Sequence, residues 1–332
     1  MDMSVVAVGR EDDSPVEEPL RSAVLADRLG YREVWAGEGP TWDAFVLAAA
    51  IGAATEQVAL TAGPVPVSVR DPLTIVRGAA STAAITGRPV GVALGTSTKR
   101  VVEGVHGRPR TRPAAALAES AAAVRTLMHS VPGEPIVPGS GLLRRLPPPG
   151  GTVTVAAFGQ RAVAAAVAHA DRMLLDLVSP EQVRMLRARM LAAAEKAGRT
   201  PPRLAAWLPA AVDPEPEALT RILRGVVGYL AVPGYSDMFV DAGFAAVVEL
   251  AAKGADPDTL LRALPPEARR HGRPGRRRGH RPRPHRRLRR GRTRRDRPRP
   301  GHGRRPRGGT HADGPQAGVT PREACSRPSG PQ

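Results

Sequence analysis

The chain of 332 residues is poor in aromatic side chains, with three Trp, three Tyr and four Phe, and it holds one cysteine, Cys325. A single thiol excludes a disulfide framework and a thiolate metal site. No window contains 18 consecutive apolar residues, so no membrane-spanning helix and no membrane partner are expected. The N-terminal run MDMSVVAVGREDDSP is acidic and lacks a basic segment followed by an apolar one, so no signal peptide is expected and the cytoplasm is the expected location. Nucleophile-elbow, P-loop and zinc-protease motifs are missing, and no G-x-G-x-x-G follows a strand. None of His106, His129 and His169 stands at metal-ligand spacing from a carboxylate, so no metal is expected.

What is abundant is positive charge, net +18, but it is unevenly placed. Residues 269–332 carry 22 Arg, no Lys and three acids, whereas residues 1–268 carry 27 basic and 28 acidic side chains. Leu288 and Val319 are exceptional aliphatics in this tail, which has no aromatic residue. Such a composition cannot bury a core and predicts disorder. Three readings are open. Out-of-frame translation of a GC-rich gene is preferred, because every tail cation is Arg and the change of composition is abrupt. A basic arm gripping phosphate backbones is the second, which makes a nucleic-acid partner disfavoured. A solvated linker is the third.

Residues 1–268 read as one enzyme domain in which short β-branched runs alternate with longer Ala/Leu-rich runs. Strands are expected at 5–8, 33–36, 58–61, 90–94, 152–156, 173–178 and 204–212. Helices are expected at 17–29, 42–55 capped by Thr41, 72–86 capped by Asp71, 113–129, 160–169, from Pro180 to about Ala197 behind a Ser179/Gln182 capping box, 215–230 and 236–263. The Pro/Gly-rich stretch 131–151 reads as a loop. This alternation implies parallel βαβ units. Seven strands exceed the usual doubly wound sheet and fall one short of a (β/α)8 barrel, so the pattern favours a barrel lacking its last β/α unit, followed by the basic tail.

Barrel chemistry sits in the loops after the strands. Phe158-Gly159-Gln160-Arg161 joins a strand to an Ala-rich helix, where backbone N–H groups and Arg161 form a phosphate grip; an ordinary tight turn is the bland reading. Gly95-Thr96-Ser97 offers small residues to a flat ring or a phosphate. Ala62-Gly63-Pro64-Val65-Pro66 implies a bulge or a cis bond, as a ligand clamp or as a rim kink. Glu38 is the candidate acid or base, weighed against a solvated rim charge, and Asp176 carries the same ambiguity. Trp42 is the candidate for stacking on a substrate ring, against plain packing.

Four segments together resemble one family, the luciferase-like monooxygenases and their deazaflavin-dependent relatives: ADRLGYREVW (26–35), AATEQVALTAGPVP (53–66) leading to Arg70-Asp71-Pro72, TGRPVGVALG (86–95), and VAAFGQRA (155–162) followed by AHAD (168–171). The resemblance implies a bacterial-luciferase-like TIM barrel. It implies a flavin- or deazaflavin-dependent oxidoreductase or monooxygenase acting on a small organic molecule. Its cofactor would be the deazaflavin coenzyme (factor 420), with FMN as the alternative, and a homodimer is compatible with it. By position it puts a non-proline cis peptide at Ala62–Gly63, ring-lining residues at Gly95, Thr96 and Ser97, and the phosphate turn at Phe158 to Arg161. One departure stands out: many deazaflavin members follow the acid at the end of the second strand with histidine, and here Glu38 is followed by Gly39. A catalytically impaired, cofactor-binding barrel is therefore an alternative.

Overall fold

A computed structural model describes residues 2–265. The arginine-rich stretch, with the domain boundary at 268/269 and the disorder expected of it, lies outside the described residues. Seven strands, β1 (Val5–Ala7), β2 (Glu33–Ala36), β3 (Ala59–Pro66), β4 (Val90–Gly95), β5 (Gly150–Ala156), β6 (Arg172–Asp176) and β7 (Arg203–Trp207), form one parallel sheet in sequence order. Helices α1 (Glu18–Arg28), α2 (Ala44–Ala54), α3 (Pro72–Thr86), α4 (Pro113–Leu127), α5 (Gln160–His169) and α6 (Pro180–Lys196) fill the crossovers. A π-helical turn, Arg100–Val105, precedes α4.

The sheet curls into an open barrel. Strands β2 and β6 are four neighbours apart, about 19 Å along a flat sheet. Yet Arg172 on β6 donates to both carboxylate oxygens of Glu33 on β2, at 2.8 and 2.7 Å. The rings of Trp35 on β2 and Trp207 on β7 meet edge to face at 5.4 Å. Only a curled sheet brings these strands across from one another. Arg203 at the start of β7 reaches Asp2, just before β1, at 2.8 Å. Among the described residues β1 and β7 remain unpaired edges, so the expectation of a barrel one strand short holds there.

Alternation along each strand divides two cores. Val34, Leu60, Val92, Leu94, Val155, Met173 and Leu175 face outward into the helix layer. Trp35, Ala93 and Leu174, with Val6, Ala156, Ala205 and Trp207 partly buried, fill the interior. Below them the Arg172 guanidinium lies 4.2 Å over the Trp35 ring. Helix α1 contributes one polar clasp to the outer layer. The buried Asp27 carboxylate accepts from the N–H groups of Glu56, Gln57 and Val58 at 2.7, 2.9 and 3.0 Å, fixing the entry to β3. These N–H groups hold its carboxyl below the usual range.

The expected capping box of α6 is present, with Ser179 accepting from the Gln182 N–H and the Gln182 side chain accepting from the Ser179 N–H. Asp71 caps α3 as expected. Other boundaries differ. Helix α2 is capped by Asp43, which accepts from the N–H groups of Phe45 and Val46, while the Thr41 hydroxyl donates to Glu11 instead. Strand β7 stops at Trp207, two residues before Pro209, which has no N–H for a ladder. After α7 (Pro216–Val227), the expected helix 236–263 is three short ones, α8 (Tyr235–Asp241), α9 (Ala245–Ala252) and α10 (Pro257–Ala263). Gly243 and Gly254, both at positive φ, separate them. Helices α7, α9 and α10 share a small core around Val227, Leu230, Val247, Val248 and Leu260.

Candidate functional site

The C-terminal ends of the strands gather the sequence candidates around one mouth. On β3 the pairing with β4 slips between Ala62 and Val65, so the chain bulges at Gly63 and Pro64. Ala62 and Val65 both belong to the outer core, which leaves the two intervening residues as the bulge. The expected non-proline cis peptide at Ala62–Gly63 is not there; the cis bond is one residue on, at Gly63–Pro64. The cause is chemical, because the tertiary amide of an X–Pro bond has a far smaller trans preference. Gly63 adopts φ +113°, and a Cβ there would lie 2.4 Å from the Ala93 carbonyl oxygen, so no other residue fits. The Pro64 ring reaches toward Gly95, 3.3 Å from where a Cβ would stand.

Gly95-Thr96-Ser97 continues β4 into the mouth. Ser97 is at φ +52°, a conformation uncommon for a residue with a side chain. A side chain not foreseen from the sequence holds it. Arg110 donates to the Ser97 carbonyl at 3.0 Å and to the Thr96 hydroxyl at 3.2 Å. Its distance in sequence and the absence of any motif around it hid it.

The turn Phe158-Gly159-Gln160-Arg161 joins β5 to α5. Gly159 is the N-cap and supplies no side-chain acceptor, so the first N–H groups of α5 keep their donors. Gly159, Gln160 and Arg161 are exposed. Arg161 has no hydrogen-bond or ion-pair partner among the described residues. Arg189 from α6 braces the turn by donating to the Phe158 carbonyl at 2.9 Å. An anion at this turn would meet free N–H donors, a helix N-terminus and an unpaired guanidinium.

Glu38 follows β2, with its side chain 12% exposed. One oxygen accepts from the Ala44 N–H at the start of α2 at 2.8 Å, the other from Arg70 Nε at 2.9 Å. Arg70 also pairs with Asp43 at 2.7 Å. Burial pushes the Glu38 carboxyl up, against the pull of Ala44 and Arg70. Burial works against Asp43 too, but Arg70 wins and holds it below the usual range. Gly39 is beside this cluster, with its N–H donating to the Trp42 carbonyl at 3.0 Å. The half-buried Trp42 indole lies against Gly9 beyond β1, where a Cβ would come within 2.1 Å of it.

The opposite rim holds a cluster of Phe158, Asp176, Tyr229 and Tyr235. Asp176 was visible as a strand-end acid. The tyrosines were not, because they come from the turn after α7 and from α8, 53 and 59 positions later, and no local pattern links them to β6. Among the described residues no group of three or more His, Cys, Asp or Glu could hold a metal ion, and no helix is long and apolar enough to cross a membrane.

The family model for luciferase-like monooxygenases matches residues 1–303. Among solved structures, the coenzyme F420-dependent tetrahydromethanopterin reductase from Methanopyrus kandleri is similar at 16% identity and TM-score 0.63, covering 80% of this chain and 83% of that one. An F420-dependent secondary alcohol dehydrogenase, solved with an F420–acetone adduct, is similar at 18% identity and TM-score 0.59, covering 78% and 84%. The oxygenating constituent of 3,6-diketocamphane monooxygenase from Pseudomonas putida, solved with FMN, is similar at 14% identity and TM-score 0.54, covering 80% and 83%. Such identities carry the fold alone. No curated protein sequence matches the chain. With the family model spanning most of its length and the curled parallel sheet in hand, the chain belongs to the luciferase-like monooxygenase family.

Proposed function

We propose that the chain is a flavin- or deazaflavin-dependent oxidoreductase or monooxygenase for a small organic substrate, with the deazaflavin coenzyme (factor 420) as first choice and FMN as the alternative. The observation that carries this reading is the uncapped, exposed N-terminus of α5 with unpaired Arg161, on the same mouth as the Gly63–Pro64 bulge. When bound, such a tricyclic group supplies hydride transfer or oxygen activation. The Gly159, Gln160 and Arg161 N–H groups and the Arg161 guanidinium hold its phosphate. The bulge at Ala62, Gly63 and Pro64 backs the ring, and Gly95, Thr96 and Ser97, fixed by Arg110, line its edge. Trp42 forms part of the rim open to substrate. Glu38 keeps a charge at the mouth in register with Arg70 and the start of α2.

Titration of the full chain with the deazaflavin coenzyme and, separately, with FMN tests this reading by the change in cofactor fluorescence. Arg161→Glu is expected to weaken the preferred cofactor at least tenfold, about 1.4 kcal/mol. Unchanged affinity in the variant would remove the phosphate grip from the reading. Gly39 favours a second reading, a barrel that binds cofactor without turning over. Its mark is tight binding with no reaction across a broad panel of alcohols, aldehydes and alkenes.

A further inference from the structure

Asp176 ends β6 and shares strand parity with Arg172 and Leu174, so it faces the barrel interior at its open end. Its carboxylate accepts from the Tyr235 hydroxyl of α8 at 2.9 Å. Tyr235 meets Phe158 edge to face at 5.1 Å and Tyr229 at 4.8 Å, so this acid adjoins the turn assigned to phosphate. The ionisable groups facing Asp176 are Tyr229 and Tyr235, and no cation pairs with it among the described residues. Burial pushes its carboxyl up to about 6, against the hydrogen bonds from Tyr235 and the Leu177 backbone. Burial also pushes both phenols up, so they stay protonated, and Tyr235 acts as the donor. Across the mouth, Glu38 has each oxygen engaged, and Gly39 has no side chain with which to handle a proton.

We propose that Asp176 is the residue that exchanges a proton with the substrate, with Tyr235 as its positioning residue. This proposal rests on the cofactor reading above. The substrate carries an O–H or N–H on its reacting carbon. As that carbon's C–H bond electrons leave with the hydrogen as hydride to the tricyclic acceptor, the carboxylate takes the O–H or N–H proton, and a carbon–heteroatom double bond remains. The reverse reaction returns both. With no cation paired to Asp176 among the described residues, the reacting group is neutral or cationic rather than a carboxylate or a phosphate ester.

The test is a pH titration of the full chain labelled with carboxyl-13C aspartate, read by NMR. The Asp176 resonance is assigned by its loss in Asp176→Asn, or by its loss in Asp176→Glu should the first variant not fold. The expected midpoint in the free protein lies near pH 6. Saturation with oxidised deazaflavin coenzyme, or with FMN in a parallel sample, is expected to move it by about half a unit or more. Tyr235→Phe is expected to raise the midpoint while leaving cofactor affinity within about twofold. Cofactor that binds by fluorescence yet leaves the midpoint unmoved overturns the proposal and spares the cofactor reading. Failure of both cofactors to bind overturns that reading and the proposal with it.

Discussion

The two ends of the barrel interior treat a carboxylate in opposite ways. At the closed end Glu33 is gripped through both oxygens by Arg172 and receives the Thr61 hydroxyl at 2.6 Å. Burial alone would raise its carboxyl, but the guanidinium beside it holds it below the usual range. At the open end Asp176 has a phenol for company and rises to about 6. Glu38 is intermediate, held by Arg70 and an N–H yet still pushed up by burial. The lesson is that desolvation is shared by all three, and the presence and grip of an arginine decides which charge is locked and which is free to titrate.

The most damaging way to break this contrast is Arg172→Met. It strands Glu33 inside the barrel and is expected to cost about 3–5 kcal/mol in urea unfolding. Pairing it with Glu33→Gln is expected to recover most of that loss, since no unpaired charge remains. A cost equal in the single and the double variant would mean that packing, rather than charge, sets the penalty.

The next largest effect is a pH slope. Glu33, lowered in the folded state, stabilises the protein above about pH 4 and loses that contribution as pH falls through its folded pKa. Asp176, raised, does the reverse: its contribution is full below about pH 4 and is lost as pH climbs through about 6. Across that window the protein should lose roughly 3 kcal/mol attributable to Asp176. Asp176→Asn should flatten this part of the stability curve, and a slope unchanged in the variant would contradict the assignment.

Arg70→Gln turns Glu38 toward the behaviour of Asp176. It is expected to cost about 1–3 kcal/mol and to raise the Glu38 carboxyl further, read by the same labelled-carboxyl titration with glutamate. Least disruptive is Gly39→His. A Cβ there would stand 3.2 Å from Oε1 of Glu11, an exposed side chain that Thr41 holds and that must shift slightly, so the expected cost is about 1 kcal/mol. It would give the β2 side a group that titrates near neutral pH, visible as a new imidazole resonance.

The alternation that makes the barrel was legible because each unit announces itself locally. Asp71-Pro72 and Ser179-Pro180 mark helix starts by cap and proline chemistry, and the slip at Gly63–Pro64 was foreshadowed by two prolines beside a strand end. Thr41 misled because Asp43, two residues on, caps the N–H groups of Phe45 and Val46 with a charged acceptor and so starts the helix later, while Glu38 takes the Ala44 N–H. The break-up of 236–263 was written in Gly243 and Gly254, outweighed by the Ala/Leu/Val content around them. What no local pattern holds is partnership across the barrel. Arg110 with Ser97, Arg172 with Glu33, and Tyr235 with Asp176 depend on which strand ends the curl brings together.

The Glu33–Arg172 bridge also imposes an order of events on synthesis. Its partners are 139 residues apart, so at translation rates of about 5–20 residues per second the ribosome needs roughly 7–28 s after making Glu33 to supply its counterion. Until then the nascent β2 carries a charge that belongs inside the finished barrel, and water must serve it. The emerging chain therefore has reason to stay open on its concave side until β6 leaves the exit tunnel.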